Sequence, residues 1–126
     1  MIGFVMVGTS DLARSAEFYG SVPAPLGLIE VELTKNYIGY AENADLSEIE
    51  FYVTVPFNQG LATSGNGTMV AIKAPSLKAV NSFHEIALRN GGIDEGAPGL
   101  RPEDGQVYYA YVRDLDGNKI CAYYNQ

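Results

Sequence analysis

Tryptophan is absent from this chain, cysteine and histidine occur once each, and only eight of the 126 residues are lysine or arginine. Each scarcity excludes something. The single cysteine, Cys121, permits no internal disulfide and no zinc site built from thiolates, and it suits a reducing compartment. The single histidine, His84, is the only route for imidazole chemistry. With 15 acidic residues the formal net charge is −7, and no two basic residues are adjacent. Phosphate-backbone binding needs clustered cations, so nucleic acid is excluded as an expected partner. No run approaches the roughly 20 apolar residues of a membrane helix. The opening MIGFVMVGTSDL has no basic stretch and reaches Thr9 and Ser10 too soon for a secretory signal. The expectation is a soluble cytoplasmic protein without a membrane partner.

What is present is ordinary for a folded domain. Apolar residues make up 47% and charged residues 18%, which argues against disorder, and 126 residues suit one domain with a real core. Residues 2–7 form an apolar run of strand length. Thr9 or Ser10 is then placed to cap a helix carrying Leu12, Ala16, Phe18 and Tyr19, which fades at Val22-Pro23-Ala24-Pro25. Strands are expected at 27–33, 37–41 and 49–55, separated by polar turns such as Thr34-Lys35-Asn36.

After the glycine- and asparagine-rich linker 58–66 the order starts again. A strand at 68–73 leads to a helix opened by Pro75 and Ser76 and stopped by Gly91-Gly92. Strands at 93–95, 106–112 and 119–124 follow, the last two joined by the turn Asp114-Leu115-Asp116-Gly117-Asn118. An offset of 65 residues lays Leu12 on Leu77, Phe18 on Phe83, Tyr19 on His84, Gly27 on Gly92 and Phe4 on Met69. The economical reading is one α+β domain, 1–126, of two tandem βαβββ modules, 1–57 and 67–126. They would form a partly closed eight-stranded cleft with one helix behind each module.

Several strings resemble one superfamily with this duplicated order, the vicinal-oxygen-chelate proteins, which include glyoxalases, bleomycin-resistance proteins and extradiol dioxygenases. Ser10-Asp11-Leu12 followed by Phe18-Tyr19 is similar to the family's opening strand and helix. Ala74-Pro75-Ser76, Asn90-Gly91-Gly92 and Gly96-Ala97-Pro98-Gly99-Leu100-Arg101-Pro102 resemble a glyoxalase-like subgroup. Tyr108-Tyr109-Ala110-Tyr111-Val112-Arg113-Asp114-Leu115-Asp116-Gly117-Asn118 resembles the closing hairpin, with Leu115 where the family has proline.

In metal-dependent members, the resemblance implies a divalent ion on the cleft floor, held from the first and last strand of each module and chelating vicinal oxygens of the substrate. Carried over residue by residue, Phe4 and Met69 stand where the family has histidines, and Cys121 stands where it has glutamate. Only Glu50, in Ile49-Glu50-Phe51, keeps an oxygen ligand. Such sites usually supply about three protein ligands, so no metal and no cofactor is expected. Glu103 and Asp104 read as a solvated loop, with a rebuilt acidic site as the competing role.

Strand alternation turns Phe4, Met6, Tyr52, Met69, Cys121 and Tyr123 toward the cleft, making them the expected ligand-binding residues. The nine tyrosines suit this, offering an apolar face and a hydroxyl for orienting a small molecule. Glu50, aligned inward with Tyr52 and Thr54, is the one candidate catalytic residue, a general base if its surroundings are apolar and a structural hydrogen-bonding group otherwise. Cys121 lacks a basic neighbour in sequence and reads as structural rather than nucleophilic. His84 reads as a packing residue. The expected function is metal-free binding of a small, largely apolar molecule, with a homodimer implied by family habit. The alternative is a metal-dependent lyase or dioxygenase of the glyoxalase type rebuilt around Glu50.

Overall fold

A computed structural model describes residues 1–45 and 48–126. The first module contains β1 (Val5–Gly8), α1 (Leu12–Tyr19), a short 3-10 turn (Ala24–Leu26), β2 (Ile29–Leu33), β3 (Tyr37–Ala41) and β4 (Phe51–Thr54). The second contains β5 (Val70–Lys73), α2 (Leu77–Arg89), β6 (Ile93–Leu100), β7 (Val107–Arg113) and β8 (Lys119–Asn125). Each forms a four-stranded mixed sheet, ordered β1-β4-β3-β2 and β5-β8-β7-β6, and the two sheets do not close into a barrel. In each sheet the strand that precedes the helix pairs in parallel with the last strand, and the remaining pairs are antiparallel. The 65-residue repeat is visible in the elements, since β1 maps onto β5 and both helices begin at the matching leucines, Leu12 and Leu77.

Both helices start on a side-chain cap. In α2 the Ser76 hydroxyl accepts from the Ala79 N–H at 3.0 Å, at the expected place. In α1 the cap is Asp11, which accepts from the Arg14 N–H at 3.1 Å, and not Thr9 or Ser10. Those two hydroxyls are engaged elsewhere: Thr9 is buried against the Ser15 hydroxyl at 2.7 Å, and Ser10 accepts from the Ala62 N–H at 2.8 Å. Strand β6 is longer than its sequence suggests. Gly96, Pro98 and Gly99 look like breakers, yet register shifts between Asp94 and Gly96 and between Gly96 and Gly99 absorb them as bulges.

One hydrophobic core serves both modules. It gathers Phe18 and Tyr19 of α1, Val80, Phe83 and Ala87 of α2, and the helix-side residues of both sheets: Val7, Ile38, Tyr40, Phe51 and Val53, with Ala110, Val112, Ile120 and Ala122. Polar contacts join the modules at one end. The Asn118 amide donates to the Gly8 carbonyl at 2.9 Å, and Asp116 accepts from the Ser10 N–H at 2.8 Å and the Ser15 hydroxyl at 3.2 Å. Because the helix-side faces share this core, the opposite face of each sheet carries no helix among the described residues. Among the described residues, no helix is long and apolar enough to cross a membrane.

Candidate functional site

The two uncovered sheet faces carry the residues that alternation had turned away from the helices. On the first sheet, Phe4 and Met6 remain 55% and 50% exposed, too much for large apolar side chains packed in a finished interior. Tyr52 lies opposite Met6 in the ladder, and its ring meets Phe4 edge-on at 5.2 Å and Tyr37 at 5.5 Å. Gly39, paired with Tyr52, lets these side chains lie close to the backbone: a Cβ there would sit 2.8 Å from the Ile49 Cδ1 and 3.3 Å from the Tyr52 ring. The Tyr37 hydroxyl donates to Glu32 at 2.7 Å.

A cavity of about 450 Å³ opens beside this patch, lined by Met6, Asn36, Tyr37, Thr54, Phe57 and Gln59 among others. Its wall is mixed, with a thioether and two rings for apolar contact and two amides and a hydroxyl for polar contact. Phe57 is fully exposed at its rim. Of these residues the sequence reading had singled out only Met6 as lining a ligand site. Tyr37 and Thr54 lie on β3 and β4, whereas Asn36, Phe57 and Gln59 come from loops, where alternation gives no direction.

The second sheet presents three tyrosine rings. Tyr109 and Tyr111 stack at 5.8 Å with 12° between their planes, and Tyr123 lies 6.1 Å from Tyr109. Cys121 faces the same way, directly across the ladder from Tyr111, but it is fully buried. Burial pushes its thiol up to about 11, and the opposing pull of Lys119 and Arg101 is the smaller influence. A neutral buried thiol is a poor nucleophile and a poor metal ligand. Met69, just before β5, is 43% exposed.

The candidate residues therefore form two groups, Phe4, Met6 and Tyr52 on one sheet and Met69, Cys121 and Tyr123 on the other. Among the described residues no ring contact joins the groups. Strand register also compares the modules directly. Met6 pairs with Tyr52, and its repeat counterpart Ala71 pairs with Cys121, so Tyr52 occupies the place in the first sheet that Cys121 occupies in the second. Glu50 lies before β4 and is exposed, beside a second cavity lined by Ile2, Val5, Leu28, Val70 and Lys73 among others. Glu103 and Asp104 are exposed in the turn between β6 and β7. Among the described residues, no three His, Cys, Asp or Glu side chains stand together as a metal-binding group.

His84 sits on the helix side, buried, with Nε2 2.9 Å from the Asp94 carboxylate, away from both uncovered faces. Its hydrogen bond, with that of the Gly96 N–H, holds the Asp94 carboxyl below its ordinary value. Lys119 and Arg101 were not expected at the site. The Lys119 ammonium lies 5.2 Å from the centre of the Tyr111 ring, and the Arg101 guanidinium 5.1 Å from it.

No family model matches the chain, and no curated protein does. Solved structures do. The chain is 36% identical to a glyoxalase/bleomycin resistance protein from Albidiferax ferrireducens T118, over 98% of each chain, with a TM-score of 0.86. A glyoxalase-related enzyme from Fulvimarina pelagi matches 99% of this chain and 88% of its own at 23% identity and a TM-score of 0.74. A glyoxalase/bleomycin resistance protein/dioxygenase family enzyme from Burkholderia phytofirmans PsJN matches 99% and 98% at 18% identity and a TM-score of 0.71. At those lower identities the likeness is one of fold.

Proposed function

The chain belongs to the glyoxalase/bleomycin resistance protein family, and from that premise we propose that it binds a small, largely apolar molecule without the family's divalent ion. The observation that carries this reading is the lined cavity beside Met6, at a volume ordinary for small-molecule sites. The four residues that the sequence resemblance sets at the family's ion-binding positions support it. Phe4 has no donor atom, Met69 offers only a thioether, Cys121 is a neutral buried thiol, and Glu50 is exposed. These residues do not fit a catalytic divalent ion, which needs about three hard or borderline ligands in one place.

A homodimer is part of the proposal. The two uncovered faces expose Phe4, Met6, Met69 and Phe57, and a second copy laid over them would turn two open half-sites into clefts. A cytoplasmic location belongs to the same reading, with the reduced Cys121 as its support. The test is a metal analysis of the purified protein, with melting temperatures taken on adding nickel, zinc, manganese or ferrous ions. The reading expects far less than one metal per chain and no saturable stabilisation. One tightly held ion per chain would overturn it and favour a lyase or dioxygenase rebuilt around Glu50, Glu103 and Asp104.

A further inference from the structure

The protein carries a formal charge of −7 with only eight basic side chains, yet three of the eight, Arg101, Arg113 and Lys119, converge on the uncovered face of the second sheet. Arg113 is neutralised there by Glu95 at 2.6 Å. The other two are not. The Arg101 guanidinium is held by the carbonyls of Ala97, Gly99 and Tyr109, which fix its position without cancelling its charge. Among the described residues Lys119 has no carboxylate within ion-pair distance, and Glu95, close enough to feel its charge, is committed to Arg113. Both cations lie about 5 Å from the centre of the Tyr111 ring, and Tyr111 stacks on Tyr109. Both also pull on the thiol of Cys121 beneath the rings, so their fields reach the floor of this face.

We infer that the uncovered face of the second sheet binds a planar aromatic molecule carrying a carboxylate or an equivalent anion, lying against Tyr109, Tyr111 and Tyr123 with its charge at Lys119 and Arg101. This goes beyond the reading proposed above, which is carried by the cavity beside Met6, and assigns a binding surface on the other sheet. Tyrosine rings offer flat apolar contact, which selects for planarity. A covering second copy would take Lys119 and Arg101 out of water, and a buried cation is costly unless an anion accompanies it. A carboxylate on the ligand supplies that anion, and a neutral analogue of the same shape does not.

The experiment is a calorimetric titration of the full chain with naphthoate and with its neutral isostere naphthamide, repeated in Lys119→Gln and Lys119→Arg. Lys119 is half-buried at the start of β8, so neither change removes a core side chain. The expected result is about tenfold tighter binding of naphthoate than of naphthamide, from one charge-assisted contact. That preference disappears in Lys119→Gln and returns in Lys119→Arg. Equal affinities in the unmodified protein, or a preference that survives Lys119→Gln, overturn the inference while leaving small-molecule binding intact. Binding of neither compound overturns the inference too, and leaves the reading at the Met6 cavity to its own metal analysis. Loss of the dimer in Lys119→Gln with the naphthoate preference unchanged also overturns it, by assigning Lys119 to contact between copies.

Discussion

The Tyr19 hydroxyl, at the end of the first helix, donates to the buried Asp114 carboxylate in the last hairpin at 2.7 Å. Asp114 also accepts from the backbone N–H groups of Asp116 and Asn118 and from the Asn118 amide, each at 2.9 Å, so both of its oxygens are hydrogen-bonded within the protein. Burial and this carboxylate together hold the Tyr19 hydroxyl well above its ordinary range, keeping it protonated as a donor. The bond ties module one to module two where the sheets themselves are not paired. Tyr19→Phe is expected to lower stability by about 2 kcal/mol, the scale of a hydrogen bond to a buried charge. Urea denaturation measures it, and a loss below a few tenths would mean the modules are held by apolar packing alone.

The acid limb of stability follows from two carboxylates. The His84 hydrogen bond holds Asp94 below its ordinary 3.8, and the Arg113 hydrogen bond holds Glu95 below 4.5. A folded-state value below the unfolded one means the folded form binds fewer protons, so the stabilisation is complete above the unfolded values. It is lost as pH falls through the folded ones. Melting temperature is expected to drop below about pH 4, and the double change Asp94→Asn with Glu95→Gln should shallow that drop. An unchanged slope would remove both groups from the account.

Cys121 tests the burial of the second face. With no exposure and a thiol raised to about 11, it should react with iodoacetamide at pH 8 at least about 100-fold more slowly in the folded protein than in urea. Rapid labelling of the folded chain would show the face to be open beneath the tyrosines.

Pairing of two chains can be read from Phe4. A glutamate at this position keeps the residue exposed in the single chain but places a charge in the proposed contact. Sedimentation should find the unmodified protein as a dimer and Phe4→Glu as a monomer with an unchanged melting curve at high dilution. A unmodified protein that sediments as a monomer would contradict the pairing.

Much of the fold was legible because it is written in local periodicity. The offset that laid Leu12 on Leu77 recovered the two modules, and the strand Tyr37–Ala41 falls where alternation put it. The misses share a cause. Asp11 replaced Thr9 and Ser10 as the cap because those hydroxyls have partners at Ser15 and Ala62, one of them 52 residues away. The length of β6 was hidden because bulges accommodate Gly96 and Pro98, and a bulge is decided by the neighbouring strand. Alternation set Phe4, Met6, Tyr52 and Tyr123 on the faces away from the helices, and they lie there. It could not find Phe57 and Gln59, which lie on the linker side of β4, or the meeting of Arg101 and Lys119 over Tyr111, which depends on a turn and two strands folding together.

The central claim is that this family member binds its ligand without a metal, and a titration of metal-stripped protein with the neutral fluorescent probe N-phenylnaphthylamine tests it most directly. The account predicts saturable binding that is the same before and after EDTA treatment and is weakened by Met6→Glu. Binding that vanishes with EDTA and returns on adding a divalent ion would contradict it.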